Sequence, residues 1–219
     1  MINTILFDFD GTLINTNTVI IDSFQHTYRS ILGKEKDVTE IVKYFGEPLH
    51  ITLKRDMEGS VEDAVKIYRD YHYARFEDLI EIFEGMDHVI QRLHEEGYKL
   101  GLVTSRLMQT TLAGLNKFGL TKYFHTIITA DDCERHKPDP EPLLKALEAL
   151  KSKPEEAIMI GDTPFDIDAS HRAGVLSVLV GWSMLKENME LLNPDFILEK
   201  AEDIFSIIRA HNLKDFQKR

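Results

Sequence analysis

Five short, mostly apolar runs limit the fold of this chain more than any other feature: 4–7, 100–104, 126–129, 157–160 and 175–180. Runs of this length without polar alternation read as strands buried on both faces, the mark of a parallel sheet covered by helices. A weaker run at 196–198 is a sixth candidate. Helical patterning falls between them, at about 86–96, 108–118, 140–150, 165–173 and 201–211. Gly97, Gly119 and Gly174 stand where helices would end in the left-handed conformation. Strand and helix alternating with short connections predict a doubly wound, Rossmann-like α/β sheet.

One connection is far too long for this scheme. Residues 15–83 separate the first strand from the second half of the pattern, and ordinary βα loops are a few residues long. The stretch is itself helical in pattern, at about 17–32, 38–45, 48–58 and 61–80. Tyr68, Tyr71, Tyr73 and Phe76 recur at near-helical spacing and are expected in its core. The expected organisation is an α/β core of residues 1–14 and 84–219, with a helical-bundle cap domain of residues 15–83 inserted after the first strand.

Composition narrows the partners. The chain carries 26 Lys and Arg against 37 Asp and Glu, a formal charge of −11. Nucleic acid and anionic membranes call for a basic footprint, so neither is expected as a partner. An anionic substrate would have to be held by local positive groups or a metal, against the overall field. Cys133 is the only cysteine, which excludes an intrachain disulfide and suits a reducing compartment. No apolar run reaches membrane-spanning length, and the chain enters its first strand after three residues without a basic leader. A cytoplasmic protein, monomer or homodimer, is expected.

The polar residues that matter stand where the strands end. In open α/β sheets ligands bind beyond the carboxyl ends of the strands. There the chain reads Asp8-Phe9-Asp10-Gly11-Thr12, Val103-Thr104-Ser105-Arg106, His136-Lys137-Pro138-Asp139-Pro140 and Gly161-Asp162-Thr163-Pro164-Phe165-Asp166. Asp8 and Asp10 would point the same way from a strand, so two like charges would crowd together unless a countercharge or a chemical purpose holds them. Carboxylates, a hydroxyl, a lysine and exposed backbone N–H groups together suit phosphoryl transfer. A carboxylate can be the covalent nucleophile and a second can move the proton. A hard divalent cation bound by oxygens would offset the carboxylate repulsion, and lysine and N–H groups would stabilise the transferring group. Each residue also has a plainer reading: Asp8 and Asp10 as turn formers, Thr104 as the N-cap of the helix near Met108, Asp166 as a first-turn acid favoured by the helix dipole. Asp131 and Asp132 read as a solvated loop, and His94 and His171 as helix-surface residues.

With all four motifs in register, the chain resembles the haloacid dehalogenase superfamily, in its branch of phosphatases with a helical cap. The resemblance covers nearly the whole chain. It implies Asp8 as nucleophile and Asp10 as general acid and base, with Thr104, Ser105 and Lys137 as ligands of phosphate and nucleophile. Gly11, Thr12 and Arg106 would border the substrate. It further implies Mg2+ held by the carboxylates of Asp8 and Asp162 and the backbone carbonyl of Asp10, with Asp166 close by. The substrate would be a small phosphorylated anion.

Specificity is expected from the cap. Pro48 fits the first position of a helix, which would leave the N–H groups near Gly46 and Glu47 as an anion site. His50 and Lys54 would share a face, with Arg55 adjoining; the alternative is a solvated helix flank. Within the superfamily the chain resembles the pyrophosphatase and phosphoglycolate phosphatase branch. Asn15, and the stretch "VGWSMLKENMELLNPDFILEK" with Trp182, lean toward pyrophosphate. The alternatives are a phosphoglycolate phosphatase, a sugar phosphomutase on the same scaffold, and an inert phosphate-binding regulator.

Overall fold

The computed structural model describes residues 1–57, 59–185 and 193–217. The chain divides into two compact units: residues Met1–Ile14 with Ile82–Arg219, and Asn15–Glu81. In the first unit, β1 (Thr4–Phe7), β4 (Lys99–Val103), β5 (Thr126–Ile128), β6 (Ala157–Gly161), β7 (Leu176–Val180) and β8 (Phe196–Leu198) form one six-stranded parallel sheet, ordered β5-β4-β1-β6-β7-β8. All six expected strands are present, shifted by a residue at some ends. Ile5, Leu6 and Phe7 are fully buried although their side chains alternate between faces, which is why the sequence shows no polar alternation there.

Helices α5 (Met86–Glu95), α6 (Met108–Lys117), α7 (Glu141–Leu150) and α8 (Pro164–Ala173) connect these strands. Helix α7 buries Leu143, Ala146, Leu147 and Leu150, and α8 buries Ala169 and Ala173. They pack with Leu6, Val103 and Met159 of the sheet in one apolar cluster. This is the stripe that an i, i+3, i+4 pattern produces. Helix α5 buries Met86, Val89, Ile90 and Leu93 in the same way. A short 3-10 turn, Ala201–Asp203, precedes the final helix, Ile204–Gln217.

The strand order sets the site. From β1 the chain builds outward through β4 and β5, then returns to the other side of β1 with β6, β7 and β8. The reversal lies at β1, and a crevice opens at the carboxyl ends of strands on either side of such a switch point. The ends that meet there are those of β1, β4 and β6, which lead into Asp8, Thr104 and Asp162.

The second unit is helical: α1 (Asn17–Leu32), α2 (Val38–Val42), α3 (Leu49–Asp56) and α4 (Val61–Leu79). Its core is aromatic. Phe24 meets Tyr68 edge-on with ring centroids 4.9 Å apart, Tyr68 stacks on His72, and His72 lies against Phe76. Tyr68 and Phe76 are buried as expected, whereas Tyr73 is 45 % exposed. Tyr71 stacks on His26. Beside this core, Asp56 accepts from Tyr28 (2.5 Å) and Lys36 (2.5 Å), and the Lys36 ammonium lies 4.7 Å from the centre of the Tyr44 ring. Two-residue strands β2 (Ile14–Asn15) and β3 (Glu81–Ile82) pair where the chain passes between the units. Asn15 supports the backbone beside it, where its Oδ1 accepts from the N–H of Asn17 (3.2 Å) at the start of α1.

Candidate active site

The β1 end is held by its own backbone. The N–H of Asp8 donates to the carbonyl of Ile160 (2.8 Å), extending the β1–β6 ladder one residue past the strand. Beyond it, Gly11 donates to the carbonyl of Ile14 and Ile14 to that of Phe9, closing a tight loop. Gly11 sits at φ +70, and a Cβ there would lie 2.6 Å from Cγ of Asp162 and nearer still to Oδ2. Only glycine tolerates both the left-handed backbone and that approach. Thr12 is fully buried, and its hydroxyl points to Asp162 Oδ1 at 3.5 Å. On the β4 side, the N–H of Thr104 donates to the carbonyl of Ile128 (2.9 Å), and its hydroxyl accepts from the N–H of Arg106 (3.2 Å). Thr104 therefore does not cap α6. Leu107 occupies the N-cap position, and Asp131 accepts from the N–H of Met108 (2.8 Å). Asp132 closes a capping box with Thr129, so this acidic pair, exposed as expected for a solvated loop, also shapes the turn. Ser105 is exposed.

Lys137 is the centre of the cluster. It is 6 % exposed and donates to Asp8 Oδ1 (2.6 Å), Asp166 Oδ1 (2.6 Å) and the carbonyl of Val103 (3.0 Å). These three bonds use every proton of the ammonium. Burial works against its charge, but the Asp166 and Asp8 carboxylates outweigh burial and hold its pKa above the ordinary lysine value. Asp166 is committed on both oxygens, since Oδ2 accepts from the N–H and hydroxyl of Thr163 (3.0 and 2.7 Å). It performs the expected first-turn role and also orients Lys137.

Asp8, Asp162 and Asp166 are all buried, and one oxygen from each lies within 4.8 Å of the others. Burial pushes the Asp8 carboxyl up to about 7, with Lys137 opposing and the Asp166 and Asp10 charges adding. Asp162 is pushed well above the carboxylate range, first by burial and then by Asp166 and Asp8. Three buried carboxylates with one ammonium leave a formal deficit of two positive charges. All the donors are hard oxygens, and the bond that the Asp162 carboxylate accepts from Thr12 is a long one. Such a group fits a divalent cation. Asp162 is steadied from behind, where Ser183 Oγ donates to its carbonyl (2.6 Å). Ser183 had no signal in the sequence.

Arg106 and Asp10 form a two-pronged ion pair, Nε to Oδ2 at 3.1 Å and Nη2 to Oδ1 at 2.7 Å. The arginine side chain is 9 % exposed and the aspartate 28 %. The guanidinium that was expected to face substrate thus grips the second aspartate.

In the helical unit the expected anion site does not form. Pro48 is the N-cap of α3, with ψ 127, rather than its first helical residue. The Glu47 N–H already donates to the carbonyl of Tyr44 (3.0 Å). The Glu47 carboxylate accepts from Thr52 (2.6 Å) and Arg55 (2.6 Å), so Arg55 is drawn onto Glu47. Gly46 takes the left-handed conformation at φ 83. Lys54 is exposed, and His50 lines a shallow groove of about 500 Å³ with Val65, Lys66, Arg69 and Tyr73 of α4. In the core, His94 is half-buried, with Nδ1 3.0 Å from the carbonyl of Tyr123. Trp182 lies against Phe83 with ring centroids 5.5 Å apart, and its indole N–H is buried without a hydrogen-bond partner among the described residues. Residues 186–192 of the stretch that bears Trp182 lie outside the described residues.

A family model described as haloacid dehalogenase-like hydrolase matches residues 5–180. A relative from Caldanaerobacter subterraneus subsp. tengcongensis, provisionally named pyrophosphatase PpaX, is 44 % identical over 95 % of this chain and 96 % of its own. Pyrophosphatase PpaX of Bacillus cereus is 39 % identical over 96 % of this chain and 98 % of its own. Among solved structures, a haloacid dehalogenase-like family hydrolase from Streptococcus pneumoniae superposes with a TM-score of 0.85 at 25 % identity, covering 94 % of this chain and 98 % of that one. The family match spans all four strand-end motifs together with the strands that carry them, and the chain belongs to the haloacid dehalogenase-like hydrolases.

Proposed function

We propose that this hydrolase is a Mg2+-dependent pyrophosphatase that works through a phospho-aspartate at Asp8. The observation that carries the reading is the buried group of Asp8, Lys137, Asp162 and Asp166, with Asp10 two residues along. The names of relatives at 39–44 % identity support pyrophosphate as the substrate. Asp8, Asp162 and the Asp10 carbonyl would hold Mg2+, which when bound screens the carboxylate from the anionic phosphate.

The residues divide the work by position. Lys137 takes Oδ1 of Asp8 and fixes the carboxylate plane, so an oxygen of Asp8 can attack phosphorus in line with the leaving group. The bond from phosphorus to the bridging oxygen breaks as the aspartyl phosphate forms, and Asp10 gives the departing phosphate a proton. Water then attacks the same phosphorus, Asp10 takes its proton, and the bond to Asp8 breaks. Thr104 and Ser105 offer donors to the equatorial oxygens. Asp166 and Thr163 hold Lys137 in place.

The test is kcat/KM for pyrophosphate, phosphoglycolate and sugar phosphates, with Mg2+ and without a bisphosphate activator. Preference for pyrophosphate supports the reading. Preference for phosphoglycolate would move the substrate to that ester, and turnover only with a bisphosphate activator would make the protein a mutase.

A further inference from the structure

The peptide unit between Asp162 and Thr163 is held at both ends. Its carbonyl accepts from the hydroxyl of Ser183 (2.6 Å), and its N–H donates to Oδ2 of Asp166 (3.0 Å). The other oxygen of Asp166 accepts from Lys137, which also donates to Asp8. One rigid plane therefore ties the loop after β7 to the lysine and the carboxylate at the end of β1. Hydrogen bonds in such a series polarise one another, so the bond from Ser183 strengthens the one that Thr163 gives Asp166.

Ser183 is itself firmly seated. It is 8 % exposed, its N–H donates to the carbonyl of Val180 (3.3 Å), and its hydroxyl accepts from the N–H of Leu185 (3.0 Å). Leu185 packs on Ile167 of α8 and Leu179 of β7, and Trp182 lies against Phe83. The Asp162 carboxylate has less support of its own: among the described residues it accepts one long bond, from Thr12 at 3.5 Å. Its position is therefore governed by the peptide from which it leaves.

Mg2+ demands near-ideal octahedral donors, whereas Ca2+ accepts about six to eight oxygens in flexible arrangements. A carboxylate held in one place suits the smaller ion, and one that drifts penalises the smaller ion more than the larger. We propose that Ser183 is a positioning residue whose hydroxyl, by fixing the peptide between Asp162 and Thr163, makes this site select Mg2+ over Ca2+. The inference rests on the reading of Asp162 as a ligand of the cation.

Titration calorimetry of the cation-free full chain with MgCl2 and with CaCl2 tests this. Removing the support behind a metal ligand costs about ten- to a hundredfold in affinity. Ser183→Ala should weaken Mg2+ binding by about tenfold or more and Ca2+ binding by a clearly smaller factor. Ser183→Cys, a weaker donor, should fall between, and Ser183→Thr restores the hydroxyl and should return the ratio of the two affinities toward that of the parent. Equal weakening of both ions, parental affinity for Mg2+, or no recovery in Ser183→Thr would overturn the proposal. Trp182 is the only tryptophan, and its emission reports the loop beside Ser183. A red-shifted emission with an unchanged ratio would mean that the hydroxyl serves the loop alone, and would overturn the proposal as well.

Asp162→Asn tests the underlying reading separately. Parental Mg2+ affinity in that variant would remove the ligand and the proposal with it. Weakened binding there, beside an unchanged ratio in Ser183→Ala, would leave the reading standing and defeat the proposal alone.

Discussion

Replacing Lys137 by methionine should destabilise the α/β unit by about 3–5 kcal/mol at pH 8 without divalent cation, the usual cost of removing one partner of a buried ion pair. The structure sets the magnitude. Lys137 Nζ lies 2.6 Å from both Asp8 and Asp166, and the acidic oxygens are within 4.8 Å of one another. Two unit charges at that separation repel by about 3–4 kcal/mol at an effective dielectric constant of about 20. The sign of the pH dependence follows. Without the ammonium, the carboxyl pKa values of the folded variant rise further above their unfolded values. Its stability is then greatest below the unfolded carboxyl range and falls as pH rises through the folded values. The difference between parent and variant should therefore widen from pH 5.5 to pH 8. Urea unfolding in EDTA at both pH values measures it. Mg2+ should recover part of the loss at pH 8, because binding to the folded state adds stability. A difference below about 1 kcal/mol, or one independent of pH, would refute the claim that Lys137 balances the charge of this cluster.

Other outcomes follow from the same geometry. Gly11→Ala should cost about 1–3 kcal/mol from the left-handed backbone, and it should weaken Mg2+ binding by displacing Asp162, as titration calorimetry would register. Asp56 is held below the ordinary carboxylate range, its burial outweighed by Lys36 and Tyr28. The stability it gives the helical unit is complete above the unfolded pKa of about 4 and is lost as pH falls through its lowered folded value. Asp56→Asn should accordingly lower the melting temperature at pH 7 and much less at pH 3. Asp10→Asn should slow phosphorylation of the enzyme by phosphoglycolate more than by pyrophosphate, because phosphate leaves with less help from a proton than an alkoxide does. Quenched single-turnover mixing would show it, and equal losses would contradict it.

The strands were legible because burial on both faces removes polar alternation, as at Ile5, Leu6 and Phe7. Asp8, Thr104 and Asp162 were legible because each stands directly after one of those strands, whereas Lys137 and Asp166 lie farther on, in the loop after β5 and in the first turn of α8. What the sequence concealed depends on distant parts of the chain. Arg106 grips Asp10 across 96 positions, and Ser183 supports the Asp162 carbonyl across 21; no local pattern encodes either. The Thr163–Asp166 capping box has a visible spacing, but the second oxygen of Asp166, which orients Lys137, does not. Local readings failed where a neighbour competed. Pro48 became an N-cap because the chain is still extended there, and the N–H of Glu47 was taken by Tyr44. Strands β2 and β3 are two residues each, too short to leave a periodic signal.

Phosphorylation of Asp8 is the central claim. Mixing the enzyme with labelled pyrophosphate and Mg2+, quenching in acid within one turnover and mapping the label addresses it directly. An acyl phosphate should be found at Asp8, released by hydroxylamine and absent from Asp8→Asn. Steady release of phosphate with no label on the protein, or turnover by Asp8→Asn at the parental rate, would contradict it.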